Sequence, residues 1–328
     1  MSIQVVKQGI ADSLQDLGRT GYQHLGINPG GAMDEVACQV AGMLVGNGPD
    51  QAVIELHFPA GSYLFREETL IALSGADLGA KLNQTPIPIN RPIWVEAGSV
   101  LSFTVPVQGQ WGYLAVRGGF AVPRWLGSYS THLKAKAGGF EGRILKRLDE
   151  LPLSVEGWHS VRPGPLPWKA DVLHLYRPEG KIRVLRGHEF DWLNAPSGQL
   201  LVSLPFSVTL RSDRMGYRMK GPLMKAEKTA QLISTGLTRG TIQLLPSGEI
   251  IVLMADHQAT GGYPRVAHVI SADIPTLAQT SFQSPVYFYL STREEAEAAW
   301  REQEQHLEQL RQACGERLKK YIEQYVQH

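Results

Sequence analysis

The chain has 328 residues, of which 43% are hydrophobic and 19% are charged, and its formal net charge at pH 7 is +1. This balance is typical of a soluble globular protein that is long enough for two domains. The near-neutral charge excludes a strong general attraction to DNA, RNA or an anionic membrane. The longest apolar runs have the length of a β-strand, well short of the roughly 20 residues of a membrane helix. We therefore expect neither a nucleic-acid partner nor a membrane partner.

The cysteines and the N-terminus favour a cytoplasmic protein. Met1 is not followed by a positively charged stretch and an apolar core, so this region does not resemble a signal peptide. Cys38 and Cys314 are the only cysteines. Free thiols in a reducing compartment are a simpler expectation for them than one long-range disulfide.

Most of the chain has the pattern of short β-strands. Thirty-four glycines and twenty prolines divide it into short segments that are rich in Val, Ile, Leu or aromatic residues. Many short strands with tight turns favour barrels or sandwiches over a doubly wound sheet. The predicted strands include Ser62–Phe65, Thr69–Ser74, Ser99–Val105, Gly112–Val116, Lys181–Leu185, Ser207–Leu210, Ile250–Ala255 and Val286–Leu290.

One early segment, Asp34–Val45, is predicted to be a helix because its apolar residues recur on one helical face. It stops at Gly46-Asn47, which is a typical C-terminal signal. Asp34 is a good N-cap residue. The alternative is that the free N–H groups of this helix bind an anion.

The segment from Thr292 to the end is almost free of Gly and Pro and is predicted to be a long amphipathic helix. Apolar residues recur in it every seven positions, and Gly315 could interrupt it. The helix either packs along its own domain or contacts a partner, including a second copy of the chain. The recurring residues are Trp300, Leu307, Cys314 and Tyr321.

A proline-rich stretch, Glu156–Gly180, has little periodicity and is typical of a connector. We therefore divide the chain into an N-terminal β domain at 1–160 and a connector at 161–180. A β-barrel domain at 181–291 and a C-terminal helix at 292–328 follow.

Several common catalytic patterns are absent from the sequence. It has no G-x-x-x-x-G-K-[ST] loop, no H-E-x-x-H, no paired C-x-x-C and no G-x-S-x-G. The chain is therefore not expected to be a self-contained P-loop ATPase, a structural zinc protein or a common serine hydrolase. We expect no metal site.

The first candidate cluster is the turn Arg211–Arg218, which follows an apolar run. Guanidinium groups bind carboxylate or phosphate in a bidentate manner, and a nearby carboxylate would fix their orientation. We predict substrate binding by Ser212, Asp213, Arg214 and Arg218. The alternative is an Arg–Asp network that only holds the loop in place.

The second candidate cluster is the segment Ala255–Pro264, which follows a predicted buried strand. Asp256 or His257 could act as a general acid or base, while Gln258 and Thr260 could orient an amide or a water molecule. We predict catalytic roles for Asp256, Gln258 and Thr260.

In the same segment, substrate binding is predicted for Gly261, Gly262 and Tyr263, because glycine allows close approach to the main chain. A simple hairpin turn is the alternative for the segment. Gln243 would lie near it if its strand pairs with 250–255 across the turn at Pro246–Gly248, so Gln243 is also predicted to bind substrate.

These motifs resemble those of the family of C-type 5-oxoprolinase subunits, also called allophanate hydrolase subunit 2 or biotin-dependent carboxyltransferase subdomains A and B. They occur in family order over about residues 10–290. The segment after Thr292 extends beyond the usual end of the family. The matching segments are Gln15–Tyr22, Gly31–Asp34, Leu44–Asn47, Gly75–Asp77, Gly118–Thr131, Ser212–Arg218 and Ala255–Pro264.

The resemblance implies a mainly-β protein with two barrel-like domains, the second of them cyclophilin-like, besides a few short helices and the long C-terminal one. It implies a heteromeric assembly with B-type and A-type subunits that couples ATP hydrolysis to opening the lactam of 5-oxo-L-proline, giving L-glutamate. The chain would be inactive alone, and ATP could be bound by another subunit. No biotin is expected on this chain.

Two other functions share the implied fold. One is the carboxyltransferase part of a biotin-dependent urea carboxylase, although the Met224-Lys225 dipeptide lacks the context of a biotinylated lysine. The other is a regulatory protein that antagonises a histidine-kinase inhibitor resembling the B-type subunit.

Overall fold

The computed structural model describes residues 1–154, 159–160, 162–178, 180–228 and 232–327. The chain forms two units that are discontinuous in sequence. The first contains Met1–Arg19, Asp34–His174 and the residues from Gln305 onward, and the second contains Thr20–Met33 and Leu175–Glu304. The predicted boundaries partly involve residues 155–158, 161, 179 and 328, which lie outside the described residues.

Up to residue 174, the described part of the first unit contains one α-helix and thirteen short strands. The elements are β1 (Ser2–Lys7), β2 (Ser13–Gln15), α1 (Glu35–Leu44), β3 (Val53–His57), β4 (Ser62–Phe65), β5 (Thr69–Asp77), β6 (Ala80–Leu82), β7 (Thr85–Pro86), β8 (Pro92–Val95), β9 (Val100–Phe103), β10 (Gln108–Val116), β11 (Glu150–Pro152), β12 (His159–Ser160) and β13 (Gly164–Pro165).

Twelve of these strands form two six-stranded sheets in the orders β11-β1-β4-β9-β6-β7 and β13-β8-β5-β10-β3-β2. Apolar side chains from both sheets share one core, in which Ile3, Ile54 and Leu101 are fully buried. Burial of this apolar area is the main stabilising term of the unit. The Asp34 side chain accepts a hydrogen bond from the main-chain N–H of Ala37 at 2.9 Å, so its predicted role as the N-cap of α1 is confirmed.

The described part of the second unit contains nine strands and two short helices. The elements are β14 (Lys181–Arg186), α2 (Ala195–Ser203), β15 (Phe206–Val208), β16 (Gly216–Lys220), β17 (Thr235–Gly236), β18 (Thr241–Leu244), β19 (Ile250–Leu253), β20 (Thr260–Gly261), β21 (Arg265–Val269), α3 (Ile274–Ala278) and β22 (Pro285–Leu290).

Seven of these strands close into a barrel in the order β14-β21-β18-β19-β16-β15-β22. All neighbouring pairs are antiparallel except β14 and β22, which are parallel. Phe206 and Phe288 pack in the interior with ring centroids 5.6 Å apart. The remaining two strands, β17 and β20, form a separate two-residue ladder.

The chain ends with α4 (Arg293–Tyr325) and β23 (Val326–Gln327), which pairs with β12. Gly315 does not interrupt α4. Leu307, Cys314 and Tyr321 are buried, whereas Trp300 is 49% exposed. Three of the four recurring residues thus pack within the protein, and contact with a second copy stays a prediction.

The mainly-β fold class is confirmed, and so is the predicted hairpin, because β18 and β19 pair antiparallel with Gln243 opposite Ile251. The predicted strand Ser207–Leu210 corresponds to β15, which spans Phe206–Val208. The apolar residues before it belong to α2, which begins at the N-cap Asn194 with a proline in its first turn. Asn194 and the proline are both typical of a helix start. Within the described ranges, no helix combines the length and apolarity needed to cross a lipid bilayer.

Candidate functional site

The two polar turns singled out by the sequence lie at the same end of the barrel. β16 begins where β19 ends, since Gly216 is paired with Leu253. The turn before β16 carries Arg214 and the turn after β19 carries Asp256. The structure joins these side chains in a bidentate ion pair, with Nε to Oδ2 at 2.8 Å and an Nη to Oδ1 at 3.1 Å.

This ion pair is largely withdrawn from water, because the Arg214 and Asp256 side chains are only 10% and 17% exposed. The Asp256 main-chain N–H also donates to the Arg214 carbonyl at 2.8 Å. Arg214 further donates to the carbonyl of Gly31 at 2.6 Å, and Arg239 donates to that of Met33. The two arginines therefore hold the segment that ends at Met33 within the barrel unit.

Ser212 and Asp213 shape the turn. Asp213 Oδ1 accepts from the N–H groups of Met215 at 2.8 Å and Gly216 at 3.2 Å, and Ser212 Oγ accepts from the N–H of Arg218 at 3.0 Å. Short polar side chains commonly close turns by such local bonds. Substrate binding by Ser212 and Asp213 stays a prediction.

Arg218 lies on the outer face of the barrel. Tyr217, Val252 and Ile242 are paired across β16, β19 and β18, and all three are buried in the interior. Side chains alternate along a strand, so the neighbouring row faces outward. That row consists of Arg218, Ile251 and Gln243. Arg218 is exposed, in contrast to Arg214.

His257 is buried at the base of the second turn. Its Nδ1 lies 2.8 Å from the Gln258 carbonyl and donates to it. Burial lowers the pKa of His257, and the nearby positive charge of Arg239 lowers it further. The imidazole is therefore neutral at pH 7, and it fixes the main chain next to Gln258.

Gln243 is a buried polar residue of the barrel unit. Its residue is 1% exposed, yet its Nε2 has no hydrogen-bond partner. A Cβ built on Gly261 would lie 3.2 Å from this nitrogen and 3.5 Å from Nε2 of Gln258. The two carboxamides thus face the same side of Gly261. A buried donor without a partner costs free energy, so its presence requires an explanation.

Thr260 and Gly261 form β20, which pairs with β17. The main chain of Gly261 is therefore part of a β-ladder. Glycine is needed at this position because a Cβ would lie only 2.7 Å from Leu237 Cδ1. Thr260 and Tyr263 are exposed, and a Cβ on Gly262 would lie 3.0 Å from the Leu232 carbonyl. The structure brings all of these residues to one end of the barrel, but their assigned roles stay predictions.

Three contributors were not identified from the sequence. The first is Leu237, which is buried beside Gly261. The other two are Arg239 and the Met33 carbonyl to which it donates, and Met33 is distant from Arg239 in the sequence. The only local signal was the Thr238-Arg-Gly240 turn directly before β18. In the described part of the chain, no group of three or more His, Cys, Asp or Glu side chains could hold a metal ion.

The site thus offers an exposed guanidinium on β16, a buried amide donor on β18 and a carboxylate held by an internal arginine. Guanidinium groups suit carboxylates, and amide donors suit carbonyl oxygens.

Comparison with known proteins identifies the family. Residues 25–290 match the family described as "Carboxyltransferase domain, subdomain A and B". The chain belongs to this family.

Two relatives match over nearly their whole length. The C-type subunit of 5-oxoprolinase from Escherichia coli is 35% identical over 308 residues, which cover 94% of this chain and 97% of that protein. The C-type subunit of 5-oxoprolinase from Haemophilus influenzae is 34% identical over 309 residues, which cover 93% of this chain and 96% of that protein.

Among solved structures, the urea amidolyase of Kluyveromyces lactis matches with a TM-score of 0.86 and 28% identity over 94% of this chain. The chain spans only 20% of that much longer protein.

Proposed function

We propose that this chain is the C-type subunit of an ATP-dependent 5-oxoprolinase, which with A-type and B-type subunits hydrolyses 5-oxo-L-proline to L-glutamate. The observation that supports it best is the near-complete two-way coverage of two relatives that bear the name of this 5-oxoprolinase subunit. In this proposal the chain is inactive alone. The assembly works in the cytoplasm, where the two cysteines, which are free and buried, remain reduced.

The substrate suits the end of the barrel described above. 5-Oxo-L-proline is a small anion with one carboxylate and one lactam amide. The reaction adds water across the lactam C–N bond, so that the ring nitrogen becomes the amine of glutamate and the carbonyl carbon becomes its second carboxylate. The active site of the assembly must therefore bind the carboxylate, orient the amide and accept a proton from water.

Within the site, Arg214 acts as a positioning residue. Its guanidinium is engaged by both oxygens of Asp256 and by the Gly31 carbonyl, so it fixes the carboxylate instead of meeting substrate directly. Asp256, which is partly exposed, is the proton acceptor for water. Gln258 and Thr260 are exposed beside it and orient the amide, and His257 holds the main chain of Gln258.

ATP supplies the free energy that activates the lactam, which is otherwise a poor electrophile. Arg214 is occupied by internal acceptors, and the sequence has no G-x-x-x-x-G-K-[ST] loop. In this proposal another subunit binds ATP.

The test is to mix the three purified subunits with ATP and 5-oxo-L-proline and to measure L-glutamate. The proposal expects release that requires ATP and every subunit. Tight binding to the B-type subunit without any turnover would instead support the regulatory function.

A carboxyltransferase function is the second candidate, and the match to the K. lactis urea amidolyase structure favours it. It predicts transfer of a carboxyl group from a carboxylated biotin carrier to urea when this chain is added. Such transfer, in the absence of glutamate release, would replace the 5-oxoprolinase proposal.

A further inference from the structure

The unpartnered amide of Gln243 carries an inference about how the ligand is recognised. Gln243 lies in β18, and all four residues of that strand are buried. Its Nε2 meets no acceptor. Replacing a buried, unpaired polar group by an apolar one of similar shape is often neutral or stabilising. The amide is therefore poorly explained by folding alone.

Position 261, next to this amide, has no room for a side chain. A side chain at Gly261 would meet Leu237 at 2.7 Å and the Gln243 nitrogen at 3.2 Å. The Gln258 nitrogen faces the same point at 3.5 Å and belongs to an exposed residue. The Gln243 donor is thus buried, and the Gln258 donor belongs to an exposed residue.

The cover over this position is small. Leu237 follows β17, whose pairing with β20 involves only two residues on each strand, and Thr235 and Gly236 are exposed. Isolated two-stranded pairs of this kind are marginally stable. A ligand can therefore reach Gln243 by displacing Leu237 without opening the barrel.

A positive charge lies on the same face. Arg218 and Gln243 are both paired with Ile251, one on each side of β19. Neighbouring strands are about 4.8 Å apart, so the two Cα atoms are about 10 Å apart. The exposed Arg218 side chain is long enough to extend over Ile251 toward the amides.

We infer that Gln243 and Gln258 donate to the carbonyl oxygen of a small cyclic amide, while Arg218 binds its carboxylate. The site is thus a two-point receptor for an amido acid on the outer face of the barrel, and Gln243 is its specificity-determining residue. The identity of the ligand, 5-oxo-L-proline, rests on the function proposed above. The proposed arrangement of the two binding points rests on the register of β16, β19 and β18 and on the unpaired Nε2 of Gln243.

The experiment separates the two points by using three probes. 5-Oxo-L-proline carries both the carboxylate and the lactam carbonyl, and 2-pyrrolidinone carries only the lactam. L-proline carries the carboxylate and a protonated ring amine but no lactam carbonyl. Binding of each to the full-length chain, and to the assembly of all three subunits, is measured by ligand-observed NMR titration. The variants are Gln243→Leu and Arg218→Ala, with Lys220→Ala as the matched control. Lys220 is an exposed cation on the same strand and face, two residues beyond Arg218.

Gln243→Leu should weaken 5-oxo-L-proline and 2-pyrrolidinone about tenfold and leave L-proline unchanged, since it removes only the carbonyl donor. Arg218→Ala should weaken 5-oxo-L-proline and L-proline about tenfold or more and leave 2-pyrrolidinone unchanged. Lys220→Ala should change none of the three. Gln243→Leu should also unfold at the same denaturant concentration as the wild type or at a higher one.

Equal losses for all three probes in either variant would overturn the inference, as would an absence of binding by the chain and by the assembly. A clear fall in stability of Gln243→Leu would also overturn it, because the amide would then serve the fold. Glutamate release without the two-point pattern would leave the proposed function standing and this inference rejected. The two-point pattern without glutamate release would do the reverse.

Discussion

Two neighbouring polar regions of the barrel differ in whether their buried donors find hydrogen-bond acceptors. Around Arg214, three strong acceptor oxygens meet the guanidinium, two from Asp256 and one from Gly31. Around Gln243, a donor that is almost fully buried meets none. The charged region is therefore complete without a ligand, whereas the neutral one is not.

The difference shows that a charge-rich turn in a sequence can be satisfied within the fold, as it is at Arg214. A buried ion pair must be internally satisfied, because desolvation of an unpaired charge is too costly. A neutral amide costs less to leave unpaired, so the fold can keep one available. Substitutions of paired and unpaired groups test this contrast, and the largest effect is expected at Arg214.

Arg214→Ala should destabilise the chain by about 3 kcal/mol, since it leaves Asp256 partly buried without its counter-ion. It should also lower glutamate release by the assembly at least tenfold. Urea unfolding of the chain and the glutamate assay measure the two effects. A variant with wild-type stability and wild-type turnover would show that the ion pair neither holds the turn nor positions Asp256.

Asp12 is a buried polar group of another kind, because a proton can neutralise it. Its carboxyl is fully buried, and Oδ2 accepts from Tyr63 at 2.5 Å and from Gly61 at 2.7 Å. Burial raises the pKa of Asp12 from 3.8 to about 6. The folded state therefore binds more protons between these values, and stability falls as the pH rises from about 4 to about 6.

This pH dependence should amount to about 3 kcal/mol for Asp12, since one pKa unit corresponds to about 1.4 kcal/mol. Asp12→Asn keeps the acceptor for Tyr63 and Gly61 and cannot titrate, so it should remove the fall. Unfolding midpoints between pH 4 and pH 7 measure it. Asp50→Asn, at an exposed ion pair with Arg124, serves as the control. An identical pH slope in Asp12→Asn and the wild type would contradict the assignment.

Asp34 is a satisfied group of the first unit, because it caps α1 through Ala37. Asp34→Ala should cost about 1–2 kcal/mol, whereas Asp34→Asn keeps the acceptor and should cost less. Denaturant unfolding distinguishes the two. Equal losses would mean that the negative charge, and not the cap hydrogen bond, stabilises the helix.

Arg218→Ala gives the smallest expected effect on the fold, within about 0.5 kcal/mol, because the side chain is exposed on the barrel surface. The measurement is the same unfolding midpoint that is used for Arg214→Ala. A loss comparable to that of Arg214→Ala would erase the distinction between a structural and a ligand-binding arginine.

Local patterns predicted much of the fold. Strand-sized apolar runs predicted β4, β5, β9, β10, β14, β15, β19 and β22. The turn at Pro246–Gly248 predicted the β18–β19 hairpin, and Asp34 was recognised as a cap. These features depend on residues close in sequence. The sequence placed Arg214 and Asp256 in two turns at strand ends, but it did not predict that their side chains form an ion pair.

Other features depend on tertiary contacts that no local pattern records. Residues Thr20–Met33 belong to the barrel unit although they precede it by about 150 positions, and Gly31 and Met33 join it through their carbonyl groups. Main-chain carbonyls carry no sequence signal. The burial of Gln243 depends on Leu237 and Gly261, and neither could be placed beside it before the β17–β20 ladder was known.

The most direct test is steady-state glutamate release by an assembly of the three subunits that contains Gln243→Leu. We predict that the wild-type assembly is active with ATP and 5-oxo-L-proline, and that the variant folds normally but has a KM for 5-oxo-L-proline about tenfold higher. An unchanged KM in a fully active variant assembly would contradict the assigned site, and an inactive wild-type assembly would contradict the assigned reaction.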